Sequence, residues 1–191
     1  MSVPTTEVTA QETDIPGLLL FDVTRVEDER GYYQETYQKE KLVAAGMPEN
    51  FTVVQSSTSY NKKAGVTRGF HAEPWDKYLT VLKGRVFAAW VDLREGESFG
   101  RVTTCEITPG KAAFVPQGVG NSFQVLEDDT YYLYSVNSHW STDLYDEYCF
   151  ANLADSEIGV EWPIPLEQAV MSKRDRNHPM LKDTKRFTHH G

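Results

Sequence analysis

The chain has 191 residues, of which 40% are hydrophobic and 25% charged, so it can bury a core and is not a disordered tail. Its formal net charge of -9 excludes non-specific nucleic-acid binding, which needs a basic field to release counterions. The sequence contains neither the roughly 20 apolar residues of a membrane helix nor a secretory signal pattern, so we predict a cytoplasmic protein that binds no membrane. Cys105 and Cys149 are too few for a disulfide framework and are predicted to be free thiols.

The first third of the chain is predicted to contain three strands and one helix. Residues 1–16 are polar and are predicted to form a flexible N-terminal arm. Val-, Thr- and aromatic-rich segments bounded by turn residues predict strands over residues 17–23, 32–36 and 51–60. A helix is predicted over residues 39–45, with Gly46 as its C-cap.

From residue 78 onward the strand signals become dense. Residues 78–82 and 85–93, joined by Lys83 and Gly84, predict a tight hairpin. Further strands are predicted over residues 101–107, 112–115, 122–126 and 130–137. Many short strands without alternating helices predict an all-β sandwich or barrel, followed after Trp140 by a mostly irregular tail. The chain shows no repeat and no linker, so residues 1–191 are predicted to form a single domain.

Residues 110–121 (GKAAFVPQGVGN) are similar to the second sequence block of cupin barrels. A metal-binding cupin has His where this chain has Asn121, and its first block supplies two His and a Glu, where this chain has only His71 with Glu73 nearby. Zinc and non-haem iron sites usually need three protein ligands. We therefore predict a cupin-like jelly-roll barrel with a few short peripheral helices and without a metal.

Residues 68–77 (RGFHAEPWDK) concentrate titratable side chains directly before an apolar strand. They could form a solvated charged loop, or they could direct His71 and Lys77 into the barrel. Histidine is the natural general base near neutral pH, and lysine can neutralise a developing oxyanion. The remaining histidines are interpreted without a catalytic role: His139 beside Trp140, His178 in a loop, and His189 and His190 in the tail.

Several motifs recur in a family-specific order from about residue 17 to residue 181. They are DERG (28–31), RGFH (68–71), VDLR (91–94) with SFG (98–100), PQG (116–118), residues 158–163 and SKRD (172–175). In this order they resemble the dTDP-4-dehydrorhamnose 3,5-epimerase family, whose members are cofactor-independent isomerases of dTDP-L-rhamnose biosynthesis.

The resemblance implies four catalytic side chains and no cofactor. His71 would be the base that removes protons from C3 and C5 of dTDP-4-dehydro-6-deoxy-D-glucose, giving dTDP-4-dehydro-L-rhamnose. Asp175 would orient and stabilise His71, Lys77 would hold the enolate oxygen, and Tyr134 would return a proton on the opposite face. Without the resemblance, Tyr134 would be interpreted as core packing and Asp175 as a surface charge.

The resemblance also implies the substrate contacts and the assembly. Arg30 and Arg68 would contact the diphosphate, as guanidinium groups commonly do. A homodimer is expected in which the N-terminal segment enters the neighbouring site. The other predicted substrate-binding residues are Tyr33, Glu35, Gln55, Ser57, Asn121 and Trp140. Three of these differ from the usual family residue, which is Asn at position 57, His at 121 and Tyr at 140.

Other functions remain open at the level of sequence. A single-position epimerase or ketoisomerase of another dTDP-deoxysugar would use the same residues. A non-catalytic sugar-binding cupin and a metal-dependent cupin dioxygenase share the predicted fold. Solvent-hydrogen exchange at the sugar carbons and metal content distinguish these classes.

Overall fold

The computed structural model describes residues 7–188, in which antiparallel strands predominate. The strands are β1 (Thr9–Glu12), β2 (Leu19–Asp22), β3 (Arg25–Asp28), β4 (Gly31–Gln34), β5 (Gln55–Asn61), β6 (Thr67–Ala72), β7 (Lys77–Lys83), β8 (Val86–Asp92), β9 (Val102–Ile107), β10 (Lys111–Val115), β11 (Val119–Val125), β12 (Thr130–Val136) and β13 (Cys149–Phe150). Helix α1 spans Lys39–Ala44, and 3-10 helices span Thr142–Glu147, Asp175–Asn177 and Leu181–Asp183.

Two antiparallel sheets form the body of the fold. The first has six strands in the order β1-β2-β10-β7-β12-β5, and the second has five in the order β13-β6-β11-β8-β9. Strands β3 and β4 form a separate two-stranded hairpin. Most neighbours in the two sheets are distant in sequence, as in a jelly roll. The predicted all-β class is confirmed.

The main core lies between the two sheets. Val81 of β7, Val115 of β10 and Trp90 of β8 are fully buried in it. Phe123 of β11 stacks on Tyr132 of β12 with ring centroids 4.3 Å apart, which joins the two sheets. Alternate residues of each strand face this core, so the remaining residues must be covered from outside.

The irregular C-terminal tail covers the outer face of the five-stranded sheet. Leu153, Ile158 and Leu181 of the tail pack in one buried cluster with Phe70 of β6 and Val91 of β8. Burial of this apolar area stabilises the tail at roughly 25 cal/mol per Å². The tail is therefore a fixed part of the fold, and it brings its polar residues close to β6.

A second apolar cluster covers the outer face of the six-stranded sheet. Leu42 of α1 packs with Met47, Phe51 and Phe114. The helix ends at Ala44, one residue before the predicted end, with Ala45 rather than Gly46 as its C-cap. Gly46 follows with a φ of +114°, a conformation that favours glycine.

The predicted hairpin between residues 78–82 and 85–93 is wrong. Strand β7 pairs with β10 and β12, whereas β8 pairs with β9 and β11 in the other sheet. The turn at Lys83 and Gly84 therefore carries the chain from one sheet to the other. Gly84 has a φ of +88°, and a Cβ at this position would overlap Thr130.

The structure also contains strands that the sequence analysis does not predict. Within the predicted flexible arm, Thr9–Glu12 forms β1, because its backbone pairs with β2 at the edge of the six-stranded sheet. Strand β6, placed by the sequence analysis in a charged segment, contains Gly69 with a φ of +121°, where a Cβ would overlap Ser122 of β11. The rest of the arm, residues 1–6, and the His189–His190 tail lie outside the described residues. Among residues 7–188 there is no helix of the length and apolarity needed to cross a membrane.

Candidate active site

A cavity of about 220 Å³ opens into the barrel between the two sheets. Its polar lining includes Arg68, His71, Glu73, Lys77, Asn121 and Tyr134. A second cavity of about 310 Å³ adjoins it, and Arg68 and His71 line both. Together they have the size and the convergent polar groups of a small-molecule site.

His71 and Asp175 meet at the boundary of these cavities, although they are 104 residues apart in sequence. The Nε2 atom of His71 lies 2.9 Å from Oδ1 of Asp175, which leaves Nδ1 as the other ring nitrogen that can accept a proton. The His71 side chain is 33% exposed, whereas that of Asp175 is 7% exposed. The base is therefore open to a ligand while its carboxylate partner is shielded from water.

Local contacts hold Asp175 in place and keep it charged. Asp175 begins a 3-10 helix, and its backbone N–H donates to the Ser172 hydroxyl at 3.0 Å. Burial opposes ionisation of this carboxyl, but the hydrogen bond and charge of His71, with help from Ser172 and His178, hold its pKa below the usual range. An ionised Asp175 stabilises a proton on the His71 ring.

His178 is a second imidazole at this site; it lies in irregular backbone after the 3-10 helix, as predicted, but it is buried against the site. Its side chain is 5% exposed, stacks on Phe150 with centroids 4.7 Å apart, and meets the His71 ring edge-on at 5.4 Å. Its Nε2 atom lies 3.9 Å from Oδ1 of Asp175. Burial and the neighbouring His71 lower the pKa of His178, so the ring stays neutral at neutral pH.

Lys77 is the first residue of β7 and lies buried in the cavity wall. Its ammonium forms an ion pair with the Glu73 carboxylate and donates to the His71 carbonyl oxygen at 3.2 Å. Burial lowers the pKa of Lys77 to about 7. Glu73, which the sequence analysis considers only as a metal ligand, is therefore in direct contact with the predicted oxyanion-binding lysine.

Tyr134 and Asn121 line the same cavity from opposite sheets. Tyr134 lies on β12, and Asn121 pairs with His71 between β11 and β6. The Asn121 amide oxygen accepts a hydrogen bond from the Trp90 indole at 2.9 Å. The predicted base, lysine, tyrosine and asparagine thus share one cavity.

Gln55, Ser57 and Trp140 form a connected group near the end of β5. The Gln55 amide donates to the Ser57 hydroxyl at 3.3 Å, and its oxygen accepts from the Trp140 backbone N–H at 3.0 Å. Residues 55, 57 and 59 share one face of the strand, and Ser59 lines the cavity. The group therefore extends the same face beyond the cavity, with the exposed Trp140 ring at its rim.

Arg30, Tyr33 and Glu35 do not line this cavity. Arg30 lies at the tip of the β3–β4 hairpin and pairs with Asp28, and its side chain is 85% exposed. Tyr33 is also exposed, and the Glu35 carboxylate pairs with Lys41 of α1. The β3–β4 hairpin packs instead on the outer face of the six-stranded sheet, where Gln34 donates to Thr80 at 3.1 Å.

Positive charge collects at the site despite the acidic chain. Arg68 lines both cavities, and Arg174 lines the second one, where its guanidinium lies over the Tyr145 ring and donates to the Tyr145 hydroxyl at 2.8 Å. Arg174 belongs to the SKRD motif, in which only Asp175 is predicted to act at the site. These guanidinium groups suit an anionic ligand.

The residues that could hold a metal ion are His71, Asp175 and His178, whose ligand atoms lie within 4.8 Å of one another. The sequence analysis finds only one metal-type histidine, because the contact of His178 with the site depends on the fold. The 2.9 Å separation between His71 and Asp175 is that of a hydrogen bond, so the pair also has a role that needs no ion.

Comparison with known proteins identifies relatives over nearly the whole chain. The family model for dTDP-4-dehydrorhamnose 3,5-epimerase matches residues 12–183. The "Protein RmlC homolog" of Streptococcus pyogenes serotype M6 is 47% identical over 176 residues, covering 90% of this chain and 88% of that protein. The dTDP-4-dehydrorhamnose 3,5-epimerase of Methanothermobacter thermautotrophicus is 28% identical over 181 residues, covering 90% and 94%.

Solved structures agree with this similarity. The structure of RmlC from Streptococcus suis in complex with dTDP-D-xylose is similar to this chain with a TM-score of 0.90. The two chains are 44% identical, and the similarity covers 95% of each. The predicted cupin-like fold is thereby confirmed.

Proposed function

This chain belongs to the dTDP-4-dehydrorhamnose 3,5-epimerase family, and we propose that it converts dTDP-4-dehydro-6-deoxy-D-glucose to dTDP-4-dehydro-L-rhamnose. The observation that carries this proposal is the His71–Asp175 pair, which lies beside a cavity lined by Lys77 and Tyr134. The cavity is bounded by β11 of one sheet and by β12 of the other, so a sugar ring in it would lie among His71, Lys77 and Tyr134, with Asp175 next to His71.

The C4 ketone of the substrate makes the hydrogens on C3 and C5 acidic, because the carbanion delocalises onto the ketone oxygen as an enolate. His71 removes the proton from carbon, and the buried carboxylate of Asp175 stabilises the resulting imidazolium. The Lys77 ammonium donates to the enolate oxygen as its charge develops. No electrons are gained or lost overall, so the reaction needs no redox cofactor.

Inversion at carbon requires a proton from the face opposite the base. Tyr134 reaches the cavity from β12, whereas His71 reaches it from β6 in the other sheet. The Tyr134 hydroxyl delivers a proton to the enolate carbon, and the phenolate regains one from solvent. The His71 imidazolium releases its proton to solvent before the second carbon reacts. Each carbon thus loses one proton to the base and gains one from the donor.

The nucleotide part of the substrate is assigned to the outer half of the site. Arg68 lies between the two cavities and contacts the diphosphate, and Asn121 binds the sugar next to His71. Gln55, Ser57 and Trp140 bind the thymidine, with the exposed indole available for stacking. The structure of RmlC from Streptococcus suis, which is 44% identical to this chain, contains dTDP-D-xylose, a ligand of the same class.

The functional assembly in this proposal is a homodimer. Arg30, Tyr33 and Glu35 lie outside the cavity of their own chain, and Arg30 and Tyr33 are highly exposed. They can contact the diphosphate and thymidine only if the β3–β4 hairpin of one subunit enters the site of the other.

We also assign the enzyme to the cytoplasm, since Cys105 and Cys149 are free thiols of the kind kept in reducing compartments.

The test of the activity is incubation with dTDP-4-dehydro-6-deoxy-D-glucose in deuterated water, followed by NMR. The proposal predicts deuterium at both C3 and C5 and accumulation of dTDP-4-dehydro-L-rhamnose. Label at one carbon alone would replace the proposal by a single-position epimerase. Binding of the nucleotide sugar without any label would leave a sugar-binding cupin.

A further inference from the structure

The surroundings of Lys77 contain one feature that the proposed mechanism does not use. The Lys77 ammonium has two protein partners, the Glu73 carboxylate and the His71 carbonyl oxygen. Glu73 is largely buried at the cavity wall, with a side chain 17% exposed, and its own carbonyl oxygen accepts from the Gly118 N–H at 3.1 Å. Both partners of Lys77 are therefore held by the main chain of the barrel.

These two contacts set the direction of the ammonium group. An ammonium carries three N–H donors, and two of them are engaged by Glu73 and the His71 carbonyl. The third donor is left for the cavity, where the ketone oxygen of the substrate would lie. A freely rotating lysine would lose more side-chain entropy when it binds that oxygen.

The charges around Lys77 identify Glu73 as the group that opposes the cost of burial. Burial lowers the pKa of Lys77 to about 7 even with the Glu73 carboxylate beside it, so the loss of that negative charge would leave still less ammonium at neutral pH. Arg68 and His71 face the cavity from β6, and Tyr132 and Tyr134 face it from β12. Arg68, and His71 when protonated, disfavour a second positive charge. Among the described residues that line this cavity, Glu73 alone carries a carboxylate that could favour the charged form of Lys77.

We propose that Glu73 is a positioning residue of the epimerase, which keeps Lys77 charged and directs one of its N–H groups at the enolate oxygen. This role rests on the proposed function, because it concerns the step in which Lys77 meets the enolate. Glu73 does not touch the reacting atoms in this assignment and acts only through Lys77. Its effect is therefore on the protonation state of the lysine.

Glu73→Gln separates charge from shape, because the amide keeps an acceptor oxygen but carries no negative charge. We expect the alkaline limb of the pH–rate profile for C3 and C5 exchange to shift to lower pH by about one to three units. Below that limb the variant should keep turnover within a few-fold of the unmodified enzyme. Glu73→Asp keeps the charge and should restore the limb to near its original position.

A direct measurement complements the kinetics. With 15N-labelled lysine side chains, the Nζ signal of Lys77 reports its own titration whether or not the protein turns over substrate. The Lys77 signal should titrate near pH 7 in the unmodified enzyme and at a lower pH, by about one to three units, in Glu73→Gln. The matched control is Asp128→Asn, which removes the partner of Lys63 from an exposed ion pair and should move neither readout.

The outcomes distinguish the two proposals. An alkaline limb and a Lys77 titration that are unchanged in Glu73→Gln would overturn the role of Glu73 and leave the epimerase assignment intact. An unmodified enzyme without exchange at C3 or C5 would overturn the assigned activity, while the Nζ titration would still test the ion pair. If neither variant folds, a Lys77 signal that titrates well below pH 7 in the unmodified enzyme overturns the inference, because the Glu73 carboxylate would then not be keeping the lysine charged.

Discussion

The amide oxygen of Asn121 accepts a hydrogen bond from the indole N–H of Trp90 inside the barrel. Trp90 is completely buried, so its N–H cannot form a hydrogen bond with water when the Asn121 side chain is removed. Asparagine at position 121, where cupins that bind metal have histidine, thus has a structural role in addition to the proposed contact with the sugar.

Asn121→Ala is predicted to lower the free energy of unfolding by about 1–3 kcal/mol, because it leaves the Trp90 N–H buried without an acceptor. Urea unfolding measures this change. In a Trp90→Phe background the same substitution should lower the free energy of unfolding by less, since no buried N–H donor is then left without an acceptor. Equal costs in the two backgrounds would show that the hydrogen bond does not couple these residues.

The buried His178 ring is predicted to make the stability of the protein depend on pH. Its pKa is lowered in the folded state, so between pH 7.5 and 5.5 the unfolded chain takes up a proton at this position before the folded chain does. The contribution of His178 to stability is therefore complete above its unfolded pKa of about 6.5 and is lost as the pH falls.

His178→Phe keeps an aromatic ring against Phe150 but cannot titrate. The unfolding free energy of the variant should fall less between pH 7.5 and 5.5 than that of the unmodified protein, as measured by urea unfolding at both values. A fall of the same size in both proteins would mean that His178 titrates equally in the folded and unfolded states.

Among the elements, the connection from β7 to β8 determines the topology, since it carries the chain from the six-stranded to the five-stranded sheet. A lysine–glycine pair between two apolar strands is also typical of a hairpin turn, so local sequence favours the wrong pairing. Pairing partners are set by contacts far apart in sequence, such as those of β7 with β12. The same limit applies to β6, because Gly69 and its charged neighbours are not typical of a strand and local sequence therefore does not predict one.

Gly84→Ala tests this crossing. The residue has a φ of +88°, and a Cβ would lie within 3.0 Å of the Thr130 Cα atom. Gly96 also has a positive φ, +135°, but has open space around it, so Gly96→Ala is the matched control for backbone strain alone. We expect about 1–2 kcal/mol of lost stability at Gly96 and a larger loss at Gly84. Equal losses would show that Thr130 does not confine the turn.

The sequence predicts those site residues that belong to recognisable motifs. The geometry brings His71 and Lys77 to the predicted cavity, and Tyr134 with them. Asp175 was expected from family motifs alone, because nothing local in an irregular tail indicates a contact 104 residues away. Glu73 and Lys77 are only four residues apart, so their proximity is evident from the sequence although their ion pair is not predicted. The approach of His178 to His71 depends on tertiary packing, which no spacing in the sequence records.

For the whole molecule, the proposed exchange of the β3–β4 hairpin between subunits predicts complementation. Each site would combine His71 of one chain with Arg30 of its partner. His71→Ala and Arg30→Ala dimers should each be nearly inactive. In a mixed dimer, one site carries both lesions and the other carries neither.

After subunit exchange between equal amounts of the two variants, about half of the dimers are mixed and each has one intact site. The mixture should therefore recover about a quarter of the unmodified activity, and size-exclusion chromatography should report a dimer throughout. A mixture no more active than the two variants measured separately would mean that Arg30 does not act in its partner's site.

The central claim is that His71 removes the sugar proton while Tyr134 supplies the replacement from the opposite face. The two roles separate in deuterated water. Tyr134→Phe should still exchange deuterium into the substrate, because His71 can return a solvent-derived deuteron to the face it deprotonates, but epimerised product should fall sharply.

Deuterium uptake by His71→Asn is the measurement that tests this claim most directly. The rate of uptake at both C3 and C5 should fall by about 10²–10⁴-fold, the usual contribution of a general base. Uptake by this variant at close to the rate of the unmodified enzyme would contradict the account, because another group would then be removing the proton.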